Sequence, residues 1–163
     1  MRFQSPGLVL DLVLVLLLVL VPTECARGLN NEGPPPHVKP RYEKFHLQHI
    51  FGNMNEHKCN SEIAKREIYE IDGRTCKETN TFITASSQEV RKVCKDAGTP
   101  EGNLFRSNQP FPVITCKLTN GNKHQPTQKP NCEYKGIKST RTIVIACDEG
   151  WPVHYDRDVV DLN

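Results

Sequence analysis

The chain has 163 residues, which is long enough for one domain or two small ones. Hydrophobic residues make up 37% and charged residues 25%, as in an ordinary soluble globular protein. The formal net charge of +2 excludes both a histone-like polycation and an acidic disordered activator. Seven cysteines are many for this length, and they restrict the fold more than any other feature.

The N-terminal segment is typical of a secretory signal peptide. Arg2 precedes the apolar run Leu12–Val21, and small residues follow around Cys25 and Ala26. Ten apolar residues are too few to cross about 30 Å of hydrocarbon, which argues against a membrane anchor. We therefore predict a signal peptide over residues 1–25, cleaved after Cys25 or Ala26. The remaining protein is predicted to be secreted and extracellular, with a net charge of +3 and no membrane span.

The segments that follow alternate between loose and regular structure. Residues 26–40 contain three consecutive prolines, which favour an extended and solvated backbone, so we predict a flexible N-terminal arm. Helices are predicted over residues 41–51, 60–70 and 87–94, the second capped by Asn60 or Ser61 and the third by Ser86 or Ser87. Strands are predicted over residues 80–84, 113–119, 141–147 and 153–156. Helices followed by antiparallel strands indicate one α+β domain over residues 41–163.

Six cysteines remain after the predicted signal peptide: Cys59, Cys76, Cys94, Cys116, Cys132 and Cys147. An even number in a secreted chain indicates three disulfides. A zinc site needs closely spaced pairs, whereas the shortest gap here is 15 positions, so we predict no metal. The spacing alone permits fifteen pairings and does not choose among them.

Four short segments carry residues of chemical interest: Lys44–His49, Cys76–Phe82, Arg141–Cys147 and Pro152–Asp156. Together they resemble the ribonuclease A (pancreatic ribonuclease) superfamily. Its members carry a Phe-x-x-Gln-His helix, a Cys-Lys-x-x-Asn-Thr-Phe segment and a Val-His-Phe/Leu-Asp strand. The resemblance runs from about Arg41 to Asp156.

The resemblance implies a fold and a disulfide pairing. The fold has short N-terminal helices packed on a curved antiparallel sheet. The implied disulfides are Cys59–Cys116, Cys76–Cys132 and Cys94–Cys147.

The resemblance also implies an activity, which is cofactor-free cleavage of RNA on the 3′ side of pyrimidines through a 2′,3′-cyclic phosphate. His49 is implied to be the base, His154 the acid and Lys77 the cation. Elementary chemistry agrees, because RNA supplies its own nucleophile, the 2′-hydroxyl. The enzyme then needs a base, an acid for the departing 5′ oxygen and a cation for the phosphoryl oxygens. Two histidines divide the proton transfers near neutral pH.

The implied substrate-binding residues are Gln48, Asn80, Thr81, Phe82, Tyr155 and Asp156. By similarity, Gln48 contacts the phosphate and Thr81 reads the pyrimidine through its backbone and hydroxyl. Asp156 lies two positions beyond His154, so on a regular strand the two side chains point the same way. We expect Asp156 to accept an imidazole N–H and to fix the tautomer of His154.

Two features resemble the angiogenin branch of the superfamily. The interval from Cys94 to Cys116 lacks the extra cysteine pair of many members, and the segment Glu149–His154 is similar to that branch. Arg157 stands where angiogenins commonly have a glutamine that obstructs the pyrimidine pocket. Obstruction, pairing with Asp156 and a phosphate contact all remain open for Arg157.

The implied partner is single-stranded or tRNA-like RNA, and the protein is predicted to be a monomer. Binding to the ribonuclease inhibitor and to a cell-surface receptor is implied by resemblance only. The alternative function is that of a secreted signalling or host-defence protein that keeps a remnant active site. The presence of all three implied catalytic residues favours the enzyme.

Overall fold

The structure, a computed structural model, describes residues 33–160. The predicted signal peptide lies outside the described residues, as do residues 26–32 of the predicted arm. Within the described part of the chain, every helix is too short or too polar to cross a membrane.

The described chain contains helices in its first half and strands mainly in its second. The helices are α1 (Lys39–His49), a 3-10 helix (Glu56–Lys58), α2 (Cys59–Lys65) and α3 (Ser87–Lys92). The strands are β1 (Thr79–Ile83), β2 (Gly98–Glu101), β3 (Leu104–Ser107), β4 (Phe111–Leu118), β5 (Tyr134–Asp148) and β6 (Trp151–Val159). The predicted α+β class is confirmed.

Helix α1 starts earlier than the sequence suggested. The helix begins at Lys39, with Pro40 in its first turn, where the missing N–H of a proline costs nothing. Val38 is fully buried, and the compact unit of the chain begins at Pro34. The prediction of a flexible arm is therefore wrong for residues 34–40, because burial of the Val38 side chain fixes a segment that its prolines alone would leave solvated.

Helix α2 ends earlier than predicted. Ile63 and Ile68 are both buried, yet five positions along a continuous helix would place them on different faces. The chain leaves the helix at Glu67, which has a φ of 52°, and the Ile68 N–H then donates to the Ile63 carbonyl at 3.0 Å. In contrast, α3 starts as predicted, with a capping box between Ser86 and Glu89.

The strands form an antiparallel sheet in the order β1-β4-β5-β3-β2, and β6 pairs with β5. Adjacent residues of β1 and β4 enter two separate cores. Ile83 and Val113 pack with Phe45 of α1, whereas Phe82 and Ile114 pack in the other cluster with Ile63 of α2. This alternation is what a strand buried on both faces produces.

Strand β5 is 15 residues long and pairs with three other strands. Its first half pairs with β4, and its second half pairs with β3 and β6. The pairing with β6 shifts register twice, between Val144 and Ile145 and between Ala146 and Cys147. These β-bulges leave Asp156 and Val153 without a direct partner on β5 and change the direction of β6 where it passes α1.

Three disulfides connect distant parts of the described chain: Cys59–Cys116, Cys76–Cys132 and Cys94–Cys147. This is the pairing that the family resemblance implies. The first bridge holds α2 to β4, and the third holds the segment after α3 to the end of β5.

Candidate active site

A cavity of about 850 Å³ lies where α1, β1 and β6 meet. Its lining includes the three residues that the sequence analysis selected as catalytic, His49, Lys77 and His154, together with Gln48 and Thr81. His49 and His154 are 105 positions apart in the sequence, so only the fold brings them to one cavity. The described residues contain no group of three or more histidine, cysteine or acidic side chains arranged for a metal ion.

Three hydrogen bonds attach the C-terminal end of α1 to β1. The Asn80 side-chain amide donates to the Gln48 carbonyl at 2.9 Å. His49 Nδ1 lies 2.8 Å from the Thr81 carbonyl oxygen, and the Phe51 N–H donates to the Ile83 carbonyl at 3.1 Å. These bonds hold His49 at a defined position above the edge strand β1.

The bond to Thr81 also sets the tautomer of His49. A carbonyl oxygen only accepts, so Nδ1 must carry the proton and Nε2 is left with a lone pair. The ring is half-buried between the rings of Phe45 and Tyr155, whose centroids are 5.4 and 5.0 Å away. Burial lowers the pKa of His49 from 6.5 to about 4, and the charges of Lys77 and His154 act in the same direction. His49 is therefore neutral, and able to accept a proton, at physiological pH.

Two lysines give the cavity its positive charge. Burial lowers the pKa of Lys77, because the half-exposed ammonium loses part of its hydration, and Lys44 repels it further. Neither lysine belongs to an ion pair within residues 33–160. Arg41, which also lines the cavity, is instead paired with Asp148. Lys44 and Lys77 are thus the cations available to a bound phosphate.

His154 and Asp156 both line the cavity, as expected from their spacing. The expected hydrogen bond between them is absent from the described residues, and this part of the prediction is wrong. Asp156 is the bulged residue of β6, and its carboxylate accepts a hydrogen bond from Arg157. Arg157 also pairs with Glu101 at the end of β2. Of the roles left open for Arg157, the structure therefore shows pairing with Asp156.

The predicted substrate-binding residues divide into two groups. Gln48, Asn80, Thr81, Tyr155 and Asp156 line the cavity. Phe82 does not, because it follows Thr81 on a strand and so points to the opposite face, where it is fully buried in the α2 cluster. Phe82 supports β1 from behind and cannot contact a ligand in the cavity.

Asn80 is nearly fully buried, although it lines the cavity. Its amide nitrogen holds Gln48, as described above, while its Oδ1 atom has no hydrogen-bond partner among the described residues. A buried carbonyl oxygen without a donor is rare in native proteins.

Three lining residues were not selected from the sequence: Arg41, Lys44 and Asp158. Arg41, Lys44 and Gln48 are three and four positions apart, so helical spacing was a signal that could have found the two cations. Asp158 gave no such signal. Its carboxylate accepts a hydrogen bond from the Tyr155 hydroxyl at 2.9 Å.

Comparison with known proteins agrees with this architecture. The family described as pancreatic ribonuclease matches residues 40–156. The chain belongs to the pancreatic ribonuclease family. Membership supports ribonuclease activity, with RNA as the substrate.

Several relatives of this ribonuclease resemble it over most of their length. "Ribonuclease-like 3" of Danio rerio is 41% identical over 150 residues, which cover 90% of this chain and 94% of the relative. Angiogenin-4 of Mus musculus is 37% identical over 153 residues, covering 91% and 92% of the two chains. The X-ray structure of zebrafish RNase5 matches with a TM-score of 0.71 and 52% identity, over 76% of this chain and 98% of that one. These similarities support the angiogenin-like branch of the family.

Proposed function

We propose that the protein is a secreted endoribonuclease that cleaves RNA on the 3′ side of pyrimidines without a metal ion. The observation that carries the proposal is the placement of His49, Lys77 and His154 around one cavity. The His49 lone pair at Nε2 is left free by the bond from Nδ1 to the Thr81 carbonyl. Secretion rests on the signal-peptide pattern of the N-terminal sequence.

The proposed reaction begins with proton removal from the 2′-hydroxyl. His49 Nε2 takes this proton, and the 2′ oxygen attacks the phosphorus atom. His154, in its protonated form, gives a proton to the departing 5′ oxygen as the P–O bond breaks. The products are a 2′,3′-cyclic phosphate and a free 5′-hydroxyl. At this point His49 is protonated and His154 is neutral. In the hydrolysis of the cyclic phosphate, His154 acts as the base towards water and His49 as the acid, which restores both histidines to their starting states.

Lys77 and Gln48 are proposed to stabilise the charge that gathers on the non-bridging phosphoryl oxygens. The Lys77 ammonium is partly desolvated, so its attraction for an oxyanion is less weakened by water than at an exposed site. Lys44 lies along the same wall, where it is suited to a flanking phosphate of a longer RNA.

The pyrimidine preference is supported by the backbone of β1. The Leu118 N–H donates to the Glu78 carbonyl and the Thr84 N–H to the Pro112 carbonyl, each at 2.9 Å. Hydrogen-bonded pairs alternate along an antiparallel ladder, so the pair Thr81–Thr115 is a non-hydrogen-bonded one. The Thr81 N–H and carbonyl therefore point away from β4. The carbonyl meets His49, and the N–H is available to the O2 atom that uracil and cytosine share.

The test is an assay on tRNA and on a pyrimidine–adenosine dinucleotide in the presence of EDTA. We expect His49→Ala and His154→Ala each to lose at least about 100-fold in kcat/KM. His124→Ala is the matched control, since His124 is exposed and lies outside the cavity lining. The proposed activity would be rejected if both cavity variants were as active as the parent. It would also be rejected if the parent cleaved RNA no faster than buffer alone. Binding to the ribonuclease inhibitor and to a receptor stays a prediction.

A further inference from the structure

The C-terminal end of α1, which carries His49, is held by a second element besides β1. The last carbonyl groups of a helix have no partner within it, so other groups must satisfy them. Arg66 directly follows α2, and its Nη1 atom donates to the Leu47 carbonyl at 2.9 Å and to the Ile50 carbonyl at 3.2 Å. One guanidinium nitrogen thus contacts the backbone of α1 both before and after His49.

The guanidinium of Arg66 is itself held in place. Its Nε atom donates to Glu62 Oε2 at 2.9 Å, one helical turn earlier in the chain. Its central carbon lies 4.5 Å from the centroid of the Phe51 ring and 5.7 Å from that of the Phe82 ring. Only 17% of the Arg66 side chain and 12% of the Glu62 side chain are exposed. A planar guanidinium that is paired, stacked and mostly buried has little freedom, so it fixes the carbonyls that it contacts.

The position of the His49 ring depends on the place of the last turn of α1. Its Nδ1 atom meets the Thr81 carbonyl oxygen at 2.8 Å, and a hydrogen bond weakens steeply as its distance and angle depart from the optimum. A cation at the C-terminal end of a helix also stabilises that end against fraying. Without the contacts of Arg66, we expect the last turn of α1 to move relative to β1 and the bond from His49 to Thr81 to weaken.

We propose that Arg66 is a positioning residue for the proposed base, His49, which it orients by holding the last turn of α1. The inference rests on the proposed ribonuclease mechanism. Arg66 is not among the residues that line the cavity, so it acts on the reaction through His49 and not through the RNA. A misplacement of about 1 Å in a reacting group can slow a reaction by about 100-fold, so a residue outside the cavity can affect the rate in this way.

The experiment uses two variants that do not leave the Glu62 carboxylate buried without a partner, because an unpaired buried charge would destabilise the fold. Arg66→Lys keeps a positive charge for Glu62, but a single ammonium cannot reproduce the planar fork of donors. The double variant Arg66→Met/Glu62→Gln removes both charges. We expect each variant to lower kcat on a pyrimidine–adenosine dinucleotide by about 10- to 100-fold. KM should change by less than about twofold, because the cavity residues that bind the RNA are intact.

Two control variants separate positioning from a general loss of stability. Ile63→Val removes one methylene group from the buried cluster of α2, which lowers stability and leaves the side chain of Arg66 unchanged. Lys65→Met replaces the exposed basic neighbour of Arg66 in the sequence. Both controls should keep the kcat of the parent, because neither removes a contact to the carbonyls of α1.

An NMR measurement tests the position of His49 without any substrate. In the parent, the Nδ1 proton of His49 is hydrogen-bonded to the Thr81 carbonyl, so its resonance should lie downfield and exchange slowly with water. In Arg66→Lys and in the double variant, we expect this resonance to move upfield and to exchange faster, since the hydrogen bond is weaker. In Ile63→Val and Lys65→Met it should stay at its position in the parent.

The two measurements distinguish failure of this inference from failure of the proposed function. If the Arg66 variants keep either the parent kcat or an unchanged His49 resonance, Arg66 is not a positioning residue, while the proposed enzyme stands. The same conclusion follows if Ile63→Val loses as much kcat as they do. If the parent cleaves the dinucleotide no faster than His49→Ala does, the proposed function fails, and the role of Arg66 in catalysis fails with it.

Discussion

The Nδ1 atom of His49 lies 2.8 Å from the carbonyl oxygen of Thr81, the residue to which we assign pyrimidine recognition. In the proposed function, the Thr81 carbonyl holds the base, while the Thr81 N–H and side chain bind the nucleobase. We therefore expect a shift of β1 relative to α1 to change proton transfer and base recognition together. The disulfide from Cys59 to Cys116, on the strand that pairs with β1, helps to keep that strand in place.

The burial of His49 predicts a loss of stability in acid. Its pKa is lowered from 6.5 to about 4 in the folded protein, chiefly by burial. Between these two values the unfolded chain binds a proton that the folded chain does not. The free energy of unfolding therefore has its full value above pH 6.5. As the pH falls towards 4, it decreases by on the order of 3 kcal/mol because of His49.

This prediction is checked by urea unfolding of the parent and of His49→Asn at neutral pH and near pH 4. The free energy of unfolding of the parent should fall more than that of the variant, which has no imidazole at this position. Equal falls in both proteins would show that His49 titrates normally in the folded state.

Lys77 is predicted to act by its charge in the transition state. Lys77→Ala should lower kcat/KM on a pyrimidine–adenosine dinucleotide by about 10²- to 10³-fold, as for other single groups that stabilise a developing oxyanion. Lys138→Ala is a suitable control, because Lys138 is an exposed lysine of β5 outside the cavity lining. A loss below tenfold in Lys77→Ala would remove Lys77 from the proposed mechanism.

Arg157 is predicted to restrain activity through its neighbour. It pairs with Asp156 through the Oδ2 atom, and we expect this pair to hold the carboxylate away from the imidazole of His154. Arg157→Ala should free the carboxylate to orient the imidazole and raise kcat/KM by roughly fivefold, the equivalent of one hydrogen bond.

The double variant Arg157→Ala/Asp156→Ala is the control for this effect, since it should show none of the gain. If the double variant gains as much as the single one, Arg157 acts by another route, such as obstruction of the pocket.

Val38 is predicted to be a structural residue. Its side chain is fully buried before the first turn of α1, and Val38→Ala should lower the free energy of unfolding by about 2 kcal/mol. Lys39→Ala next to it removes only an exposed pair with Glu43 and should change stability by less than about 0.5 kcal/mol. Thermal or urea unfolding measures the stability of both variants. Equal stabilities of Val38→Ala and Lys39→Ala would indicate that this segment is a flexible arm after all.

The sequence was sufficient to predict the α+β class and the approximate positions of the long strands. Strands β4 and β5 alternate or repeat β-branched residues strongly enough to be recognised. The hairpin of β2 and β3 was missed. Its strands have four residues each, and one of them contains Pro100 and Glu101, so local pattern does not reveal it. Pairing of Leu104 with Ala146 of β5 places β3 in the sheet.

The site was predictable where a residue's role depends on its type, and not where it depends on local geometry. His49, Lys77 and His154 were selected by resemblance to a family, and the fold places them at one cavity. The relation of His154 to Asp156 was wrong because regular alternation was assumed, whereas β6 carries bulges on both sides of His154. A β-bulge is set by pairing with a distant strand, which a single sequence does not display.

The most direct test of the central claim compares two leaving groups in His154→Ala and His49→Ala. On uridylyl-adenosine, both variants should lose at least about 100-fold in kcat/KM. On uridine 3′-(4-nitrophenyl phosphate), whose leaving group is a stable anion that needs no proton, His154→Ala should cleave nearly as fast as the parent, while His49→Ala stays slow. Equal losses on both substrates in His154→Ala would contradict its assignment as the acid and the division of labour proposed for the two histidines.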